Sequence, residues 1–244
     1  MPAATDLLIA MGAKEHLVAV SNFDLASEVK ALPRAGDYQS VDWEKLAMVR
    51  PAVLISFYGP GREPPGFAEK LASLQIRQVN VQPNRLDDVY AAITTLGDAC
   101  DERPAADRLL NQLRTGIENV RKRVGGQKRV RTLISISPTG ADLVGRDTYL
   151  DDLLQAAGGE NVLTTKGYVT LDREAVVALH PDAIVQLLPD RDAASAEAAK
   201  AAWDKLPDCP AAKNHCVTVF TQSYIMQPGS HVAEIADLLA KAIH

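Results

Sequence analysis

Two glutamates 130 residues apart, Glu44 and Glu174, occupy the same place in two copies of one sequence pattern. The copies run over residues 38–55 and 168–185, and Tyr, Asp, Glu and Pro recur at a constant offset without an insertion. A carboxylate in the first turn of a helix complements the helix dipole, which explains one such acid. Dipole complementation does not need the same residue in both copies. The repetition therefore favours a pair of exposed carboxylates that docks onto a two-fold symmetric partner.

Aromatic residues beside turn residues form the second group with binding chemistry. Phe57 and Tyr58 precede a Gly/Pro-rich stretch and lack the apolar periodicity of a core element. Tyr38, Tyr168 and Tyr224 also lie next to turn residues. Such side chains are suited to line a pocket for a large flat or rounded ligand.

The two copies predict the elements that would position these side chains. Each reads as a short helix followed by a buried strand, with Ser40 and Thr170 as predicted N-caps. Pro51 and Pro181 end the helices, because proline has no N–H to donate. The strands that follow are apolar without alternation, which is typical of parallel sheets covered on both faces. Each half of the chain is thus predicted to be a βα lobe, and the fold class to be α/β.

A long amphipathic stretch, residues 104–124, separates the two copies and predicts one helix about 30 Å long. We therefore predict an N-terminal lobe over residues 1–103, a linking helix over 104–125 and a C-terminal lobe over 126–244. A helix over residues 4–12, with Thr5 as its cap, and a strand over residues 17–20 are also predicted.

Composition excludes several classes of protein. The 244 residues are 47% hydrophobic and 23% charged, which suits a globular chain with a buried core. A net charge of −5 offers no basic surface for nucleic acid, and no apolar run reaches the length of a membrane span. The cysteines lack the spacing of a zinc site, and Cys209 and Cys216 are read either as a disulfide or as free thiols.

Several motifs together resemble the helical-backbone class of periplasmic substrate-binding proteins, which serve ABC importers of vitamin B12, ferric siderophores and haem. They are the opening Pro-Ala-Ala-Thr, the two Glu…Pro units, the long helix, and Ala-Gly-Gly-Glu-Asn at residues 157–161. The resemblance covers essentially the whole chain. It implies two lobes that hold a metal chelate between them, and Glu44 and Glu174 as contacts to a permease dimer. The implied ligand-binding candidates are Thr5, Tyr38, Phe57, Tyr58, Ser137, Arg146, Tyr168 and Tyr224.

The resemblance also predicts the setting of the protein. It implies a monomer, peripheral to the membrane, in the periplasm or at the cell surface, with no catalytic residue, no cofactor and no metal of its own. The family has a strand before the Pro-x-x-Thr motif, and residues 1–5 carry neither that strand nor a signal peptide. We therefore expect the natural start to lie upstream, and the alternative is that this copy of the protein is defective.

The ligand is left open between three kinds of chelate. Siderophore binders use several arginines, and here only Arg146, with Arg62 second, fits such a role. A corrinoid is therefore preferred, with ferric siderophore or haem as alternatives and Tyr58 or Tyr224 as the axial candidates for haem. From other classes, a tetrapyrrole metal chelatase would need a His beside an acid, and a cytoplasmic scaffold or sensor would lack a permease.

Overall fold

The computed structural model describes residues 1–37, 39–59 and 61–244, and for Arg173 the backbone alone. The chain divides into two compact units. The first unit contains residues 1–83 and 87–112, and the second contains residues 84–86 and 113–244. Both units are mixed α/β, which confirms the predicted fold class.

The first unit is built around a two-stranded parallel sheet. Its elements, in chain order, are α1 (Pro2–Ala10), α2 (Trp43–Val49), β1 (Val53–Ser56), α3 (Phe67–Ser73), β2 (Arg77–Asn80) and α4 (Leu86–Ala99). Val53 pairs with Arg77 and Ser56 with Asn80 in the parallel register. A core of Leu46, Phe67, Leu71 and Ile76 packs α2 and α3 together, since the apolar side chains of both helices bury there.

The long amphipathic stretch forms one helix, α5 (Arg103–Val124), as predicted. Its buried residues recur at helical spacing from Ala105 through Leu113 and Ile117 to Val124. The division between the units falls inside this helix, after Gln112. The role of α5 as a strut, and the lobe boundaries at 103 and 126, stay predictions.

The second unit contains a six-stranded sheet. Its elements are β3 (Val130–Ser135), β4 (Asp142–Val144), α6 (Tyr149–Ala156), β5 (Gly159–Asn161), β6 (Tyr168–Thr170), α7 (Arg173–Ala178), β7 (Ala183–Leu187), α8 (Ala193–Trp203), α9 (Pro210–Lys213), β8 (Val217–Phe220) and α10 (Val232–Ile243). The strand order is β6-β4-β3-β7-β8, and β5 also pairs with β3. Strands β3, β5, β7 and β8 are parallel, whereas β4 runs antiparallel to both β3 and β6.

The sequence repeat is present as a repeat of backbone structure. Asp42 caps α2 by accepting a hydrogen bond from the Lys45 N–H at 2.8 Å, and Asp172 caps α7 through the Ala175 N–H at 2.8 Å. Arg50 directly follows α2 and His180 lies two residues after α7, and both adopt positive φ at 47°. Strands β1 and β7 then begin 130 residues apart. The two copies therefore share one supersecondary unit.

Three local predictions were wrong. The N-caps of the repeated helices are Asp42 and Asp172 rather than Ser40 and Thr170, because the helices begin two residues later than predicted. Thr5 is not a cap, since α1 begins at Pro2 and includes Thr5. Residues 17–20 form no strand, because only Val20 pairs, in an isolated bridge to Arg34.

The three cysteines are free thiols. Cys209 is buried in the core of the second unit, and Cys216 is exposed. Of the two readings given by the sequence, the structure therefore has the unpaired one.

Candidate functional site

The parallel strands β3, β7 and β8 of the second unit end at one edge of its sheet, which we call the carboxyl edge. It is formed by the segments after β3, β7 and β8, residues 136–141, 188–192 and 221–231. Open α/β sheets bind their ligands outside the carboxyl ends of the strands. Ser137 and Tyr224 lie on this edge, as expected of binding residues.

Ser137 is used inside the fold. Its side chain is 8% exposed, and its hydroxyl oxygen accepts a hydrogen bond from the Asp142 N–H at 3.0 Å. Its carbonyl oxygen accepts a hydrogen bond from Gln186 Nε2, and Gln186 Oε1 accepts one from Trp203 Nε1 at 2.9 Å. Ser137 therefore fixes the turn after β3, and a contact of its hydroxyl with ligand stays a prediction.

The turn after β3 also encloses a small cavity. It lies between the turn, Gln186 and Trp203 and has a volume of about 10 Å³. Gly140 is required there, because a Cβ at its φ of 77° would lie 2.6 Å from Trp203 Cζ2. A cavity of that size holds no more than one water molecule. It is therefore part of the core and no pocket for a metal chelate.

Tyr224 belongs to a three-residue cluster at the carboxyl edge. Its hydroxyl donates a short hydrogen bond to Glu234 Oε1, and His231 Nδ1 lies 3.1 Å from Glu234 Oε2. The rings of Tyr224 and His231 stack with centroids 4.1 Å apart and an angle of 17°. Partial burial and the Glu234 carboxylate raise the pKa of Tyr224 to about 12. We call these three residues the Tyr224 cluster.

Arg146 and Tyr168 lie close to each other beside β4 and β6, at the end of the strand order opposite to β8. Strands β4 and β6 pair Val144 with Tyr168, and the chain continues into a bridge between Arg146 and Lys166. Arg146 Nε donates to the Leu163 carbonyl at 3.2 Å, and the Tyr168 side chain is 55% exposed. Four strand steps separate β6 from β8, which is roughly 19 Å at the usual spacing. The structure therefore brings these two candidates together and keeps them apart from Tyr224.

The first unit holds three described candidates with different environments. Thr5 is buried, and its hydroxyl lies 3.2 Å from Asp24 Oδ2, so it connects α1 to the loop that follows. Phe57 follows β1 and is 46% exposed, as expected for a binding aromatic. Tyr38 lies outside the residues that the structure describes, so its role stays a prediction.

Tyr58 is held more firmly than its Gly/Pro-rich surroundings indicate. Its N–H donates to Asn80 Oδ1 at 2.8 Å, and its carbonyl accepts from Asn80 Nδ2 at 2.9 Å. Its ring meets Phe67 edge to face, with centroids 5.1 Å apart. Partial burial, with the carboxylates of Glu63 and Asp37 nearby, raises the pKa of the Tyr58 hydroxyl. Tyr58 thus packs partly against the core of the first unit, and its hydroxyl is protonated at neutral pH.

Glu44 and Glu174 are both exposed on the first turns of their Asp-capped helices. The two carboxylates have equivalent positions in the repeated unit. In both copies an aspartate caps the helix, and the residue before the following proline adopts positive φ. Each unit therefore presents one exposed acid on a rigid support.

Two polar groups were missed by sequence reasoning. The Glu234 carboxylate was not considered, although its spacing of three from His231 on a helical pattern was a signal. Arg85 was also missed: its guanidinium contacts Asp152 through Nε at 2.8 Å and Asp147 through Nη1 at 2.9 Å, all within the second unit. No local pattern connects residues 85 and 152, so only the fold reveals that ion pair.

One group of three metal-capable side chains converges among the described residues. Glu15, His16 and Glu102 bring one ligand atom each within 4.8 Å of the others. The group is largely exposed, and His16 Nε2 lies 3.6 Å from Glu102 Oε1. Exposed acidic groups such as this are common without an ion, so the group assigns no function.

The helices that the structure describes include none with the length and apolar character of a membrane-spanning segment.

The chain belongs to the periplasmic binding protein family, the substrate-binding proteins of ABC transporters. The family pattern matches residues 1–224. This membership agrees with the two α/β units and with the resemblance found in the sequence.

Individual relatives show how the chain compares along its length. An uncharacterised ABC transporter substrate-binding lipoprotein of Bacillus subtilis, YvrC, is 25% identical over all of this chain and 78% of its own. The high-affinity haem uptake protein IsdE of Staphylococcus aureus is 28% identical over 67% of this chain and 56% of its own. The fold matches the vitamin B12 binding protein BtuF of Vibrio cholerae over 100% of this chain and 94% of the other, with a TM-score of 0.82 at 20% identity.

Proposed function

We propose that this protein binds a metal chelate, with a corrinoid such as vitamin B12 as the first choice, and delivers it to a dimeric ABC permease. The observation that carries the delivery step is the repeated unit. It places one exposed glutamate, Glu44 or Glu174, on an Asp-capped helix in each half of the chain. A dimeric permease with cationic side chains at symmetric positions fits two such acids.

The choice of ligand rests on the scarcity of arginine among the candidate residues. Anionic siderophores are recognised by several arginines, and here Arg146 is exposed but already donates from Nε to the Leu163 carbonyl. Arg191 adds a second exposed cation on the carboxyl edge, which the sequence did not single out. The exposed aromatics Phe57 and Tyr168 instead favour a large chelate with apolar faces. Similarity to a haem uptake protein makes haem the second choice.

Separate titrations with three chelates test the proposed ligand. Purified protein is titrated with cyanocobalamin, haemin and a ferric hydroxamate, and binding is followed by calorimetry and by the absorbance of each chelate. We expect saturable 1:1 binding of cyanocobalamin, with weaker binding of the other two. Binding of the ferric hydroxamate alone would contradict the ordering.

A chelatase is the rival function, and the Tyr224 cluster is the observation that favours it. Tetrapyrrole metal insertion needs a histidine beside an acid, and His231 lies 3.1 Å from Glu234. Incubation with sirohydrochlorin or porphyrin and Co²⁺ or Fe²⁺ distinguishes the two functions by absorbance. We expect no metal insertion above the rate without protein. Insertion that is lost in His231→Ala would establish the enzyme instead.

The proposed setting follows from the same assignment. We place the protein outside the cytoplasmic membrane, as a monomer peripheral to the bilayer, with the permease and the chelate as partners and no nucleic acid. The net charge of −5 supports the last point. The B. subtilis relative is described as a lipoprotein, which supports a position at the membrane surface.

A further inference from the structure

Glu234 connects the loop after β8 to the first turn of α10. Oε1 accepts the hydroxyl of Tyr224, and Oε2 lies 3.1 Å from Nδ1 of His231. The stacked rings, 4.1 Å apart, hold the two aromatic side chains parallel. Three contacts thus fix the orientation of Tyr224 within the second unit alone.

The hydrogen bond to Glu234 stabilises the neutral, protonated form of Tyr224. A carboxylate accepts and cannot donate, so the short contact requires that the phenol keeps its proton. Glu234 stays ionised at neutral pH, because the hydrogen bond from Tyr224, and then that from His231, lower the pKa of its carboxyl. Partial burial, and after it the hydrogen bond to Glu234 and the charge of Glu234, raise the pKa of Tyr224 to about 12. Asp237 is a further carboxylate that acts on Glu234, and His231 is the other titratable side chain in contact with it.

This protonation state bears on the ligand, because a tyrosine coordinates ferric iron as the phenolate. Coordination by Tyr224 would require its proton to move to solvent or to Glu234. Loss to solvent would leave two anionic oxygens close together beside Asp237, which disfavours the charged form of each. Transfer to Glu234 would protonate a carboxyl whose pKa the cluster lowers. The cluster therefore opposes iron–tyrosinate coordination at this position.

We propose that Glu234 is a positioning and specificity-determining residue that holds Tyr224 as a neutral phenol and prevents it from coordinating a ferric centre. This inference rests on the proposed function and narrows its substrate class. Tyr224 then offers ring surface to a chelate whose metal is coordinated without a tyrosinate from this residue. The inference adds to the choice between corrinoid and haem, because it excludes coordination of the metal by the Tyr224 phenolate.

An alkaline absorbance titration tests the role of Glu234 without any ligand. The chain has six tyrosines, so the difference between wild type and Tyr224→Phe isolates the signal of Tyr224. We expect its pKa to fall towards the ordinary value of about 10 in Glu234→Gln, which is close in shape but carries no charge. Glu197→Gln, at an exposed site on α8, is the matched control and should leave the titration unchanged. An unchanged pKa in Glu234→Gln would overturn the role of the carboxylate.

Haemin tests the consequence for coordination. We expect the spectrum of the wild-type complex to lack a phenolate-to-iron charge-transfer band and to be unchanged in Tyr224→Phe. A band in wild type that disappears in Tyr224→Phe would overturn the proposal. If neither haemin nor cyanocobalamin binds, the proposed function fails, while the alkaline titration still decides the role of Glu234. Circular dichroism of each variant separates a local effect from loss of the fold.

Discussion

Arg50 and His180 show at the residue scale what the repeated unit demands of the backbone. Both adopt positive φ at 47° in the turn between a short helix and the proline that precedes the strand, a backbone region that costs a non-glycine L-residue roughly 1–2 kcal/mol. This strained conformation occurs at equivalent positions in both copies, and a proline follows each residue. The sharp turn from helix to strand is therefore a shared requirement of the unit.

Replacement of Arg50 by glycine should relieve that strain. We expect Arg50→Gly to raise the free energy of unfolding by about 0.5–1 kcal/mol, because glycine adopts positive φ without the clash but loses more entropy on folding. Chemical denaturation measures the change. Ala47→Gly, at an exposed position inside α2, is the matched control and should lower stability by about 1 kcal/mol. Destabilisation by Arg50→Gly would show that the arginine side chain makes a contact that outweighs the strain.

The candidate residues differ in how far the sequence could place them. Glu44 and Glu174 were predicted to be exposed, because a repeated helical pattern fixes which positions lie in the first turn, and both are exposed. Thr5 was predicted as a binding residue, but burial and its bond to Asp24 depend on a loop that no local pattern specifies. Its contact with ligand stays a prediction.

At the scale of elements, the N-caps of α2 and α7 carry the repeated helix start. We expect Asp42→Ala and Asp172→Ala each to lower the free energy of unfolding by about 1 kcal/mol, since each removes a 2.8 Å bond to a first-turn N–H. Ser40→Ala is the control, because Ser40 was predicted as the cap and is not one. A loss in Ser40→Ala as large as in Asp42→Ala would contradict the cap assignment.

The first residue of α4, Leu86, is capped by a side chain from another helix of the chain. Asp152 on α6 accepts bonds from Arg85 Nε at 2.8 Å and from the Leu86 N–H at 2.9 Å, and its side chain is 16% exposed. We expect Asp152→Ala to lower the free energy of unfolding by about 2 kcal/mol, since both donors lose a charged acceptor.

Asp147 is the matched control for this ion pair. It also contacts Arg85, at 2.9 Å, but its side chain is 41% exposed. Exposed pairs contribute little, so Asp147→Ala should change stability by less than about 1 kcal/mol. Equal losses in the two variants, measured by the same denaturation, would show that burial does not distinguish them.

Long periodic elements were predictable, and short ones were not. The stretch over 104–124 specified α5 to within one residue, because its apolar face repeats over many turns. Strands β4, β5 and β6 have three residues each, too few for a period to be read. The antiparallel part of the second sheet therefore emerged only from the fold.

At the scale of the whole molecule, the chain consists of two related halves, and each presents one exposed glutamate. The repeat was visible in the sequence because it holds a constant offset without insertions, and it reappears in caps, positive φ values and strand starts. Ligand identity was not visible, because binding side chains come from loops that carry no periodic pattern.

Charge reversal at both acids, Glu44→Lys with Glu174→Lys, tests whether they dock the protein onto its permease. Transport by the reconstituted permease and chelate affinity are measured on the same protein. Glu69→Lys with Glu197→Lys, at exposed sites on α3 and α8, is the matched control. We predict that only the first pair abolishes transport and that chelate affinity is unchanged in both. Loss of affinity with the first pair would place those acids in the ligand site, and full transport would contradict the docking role.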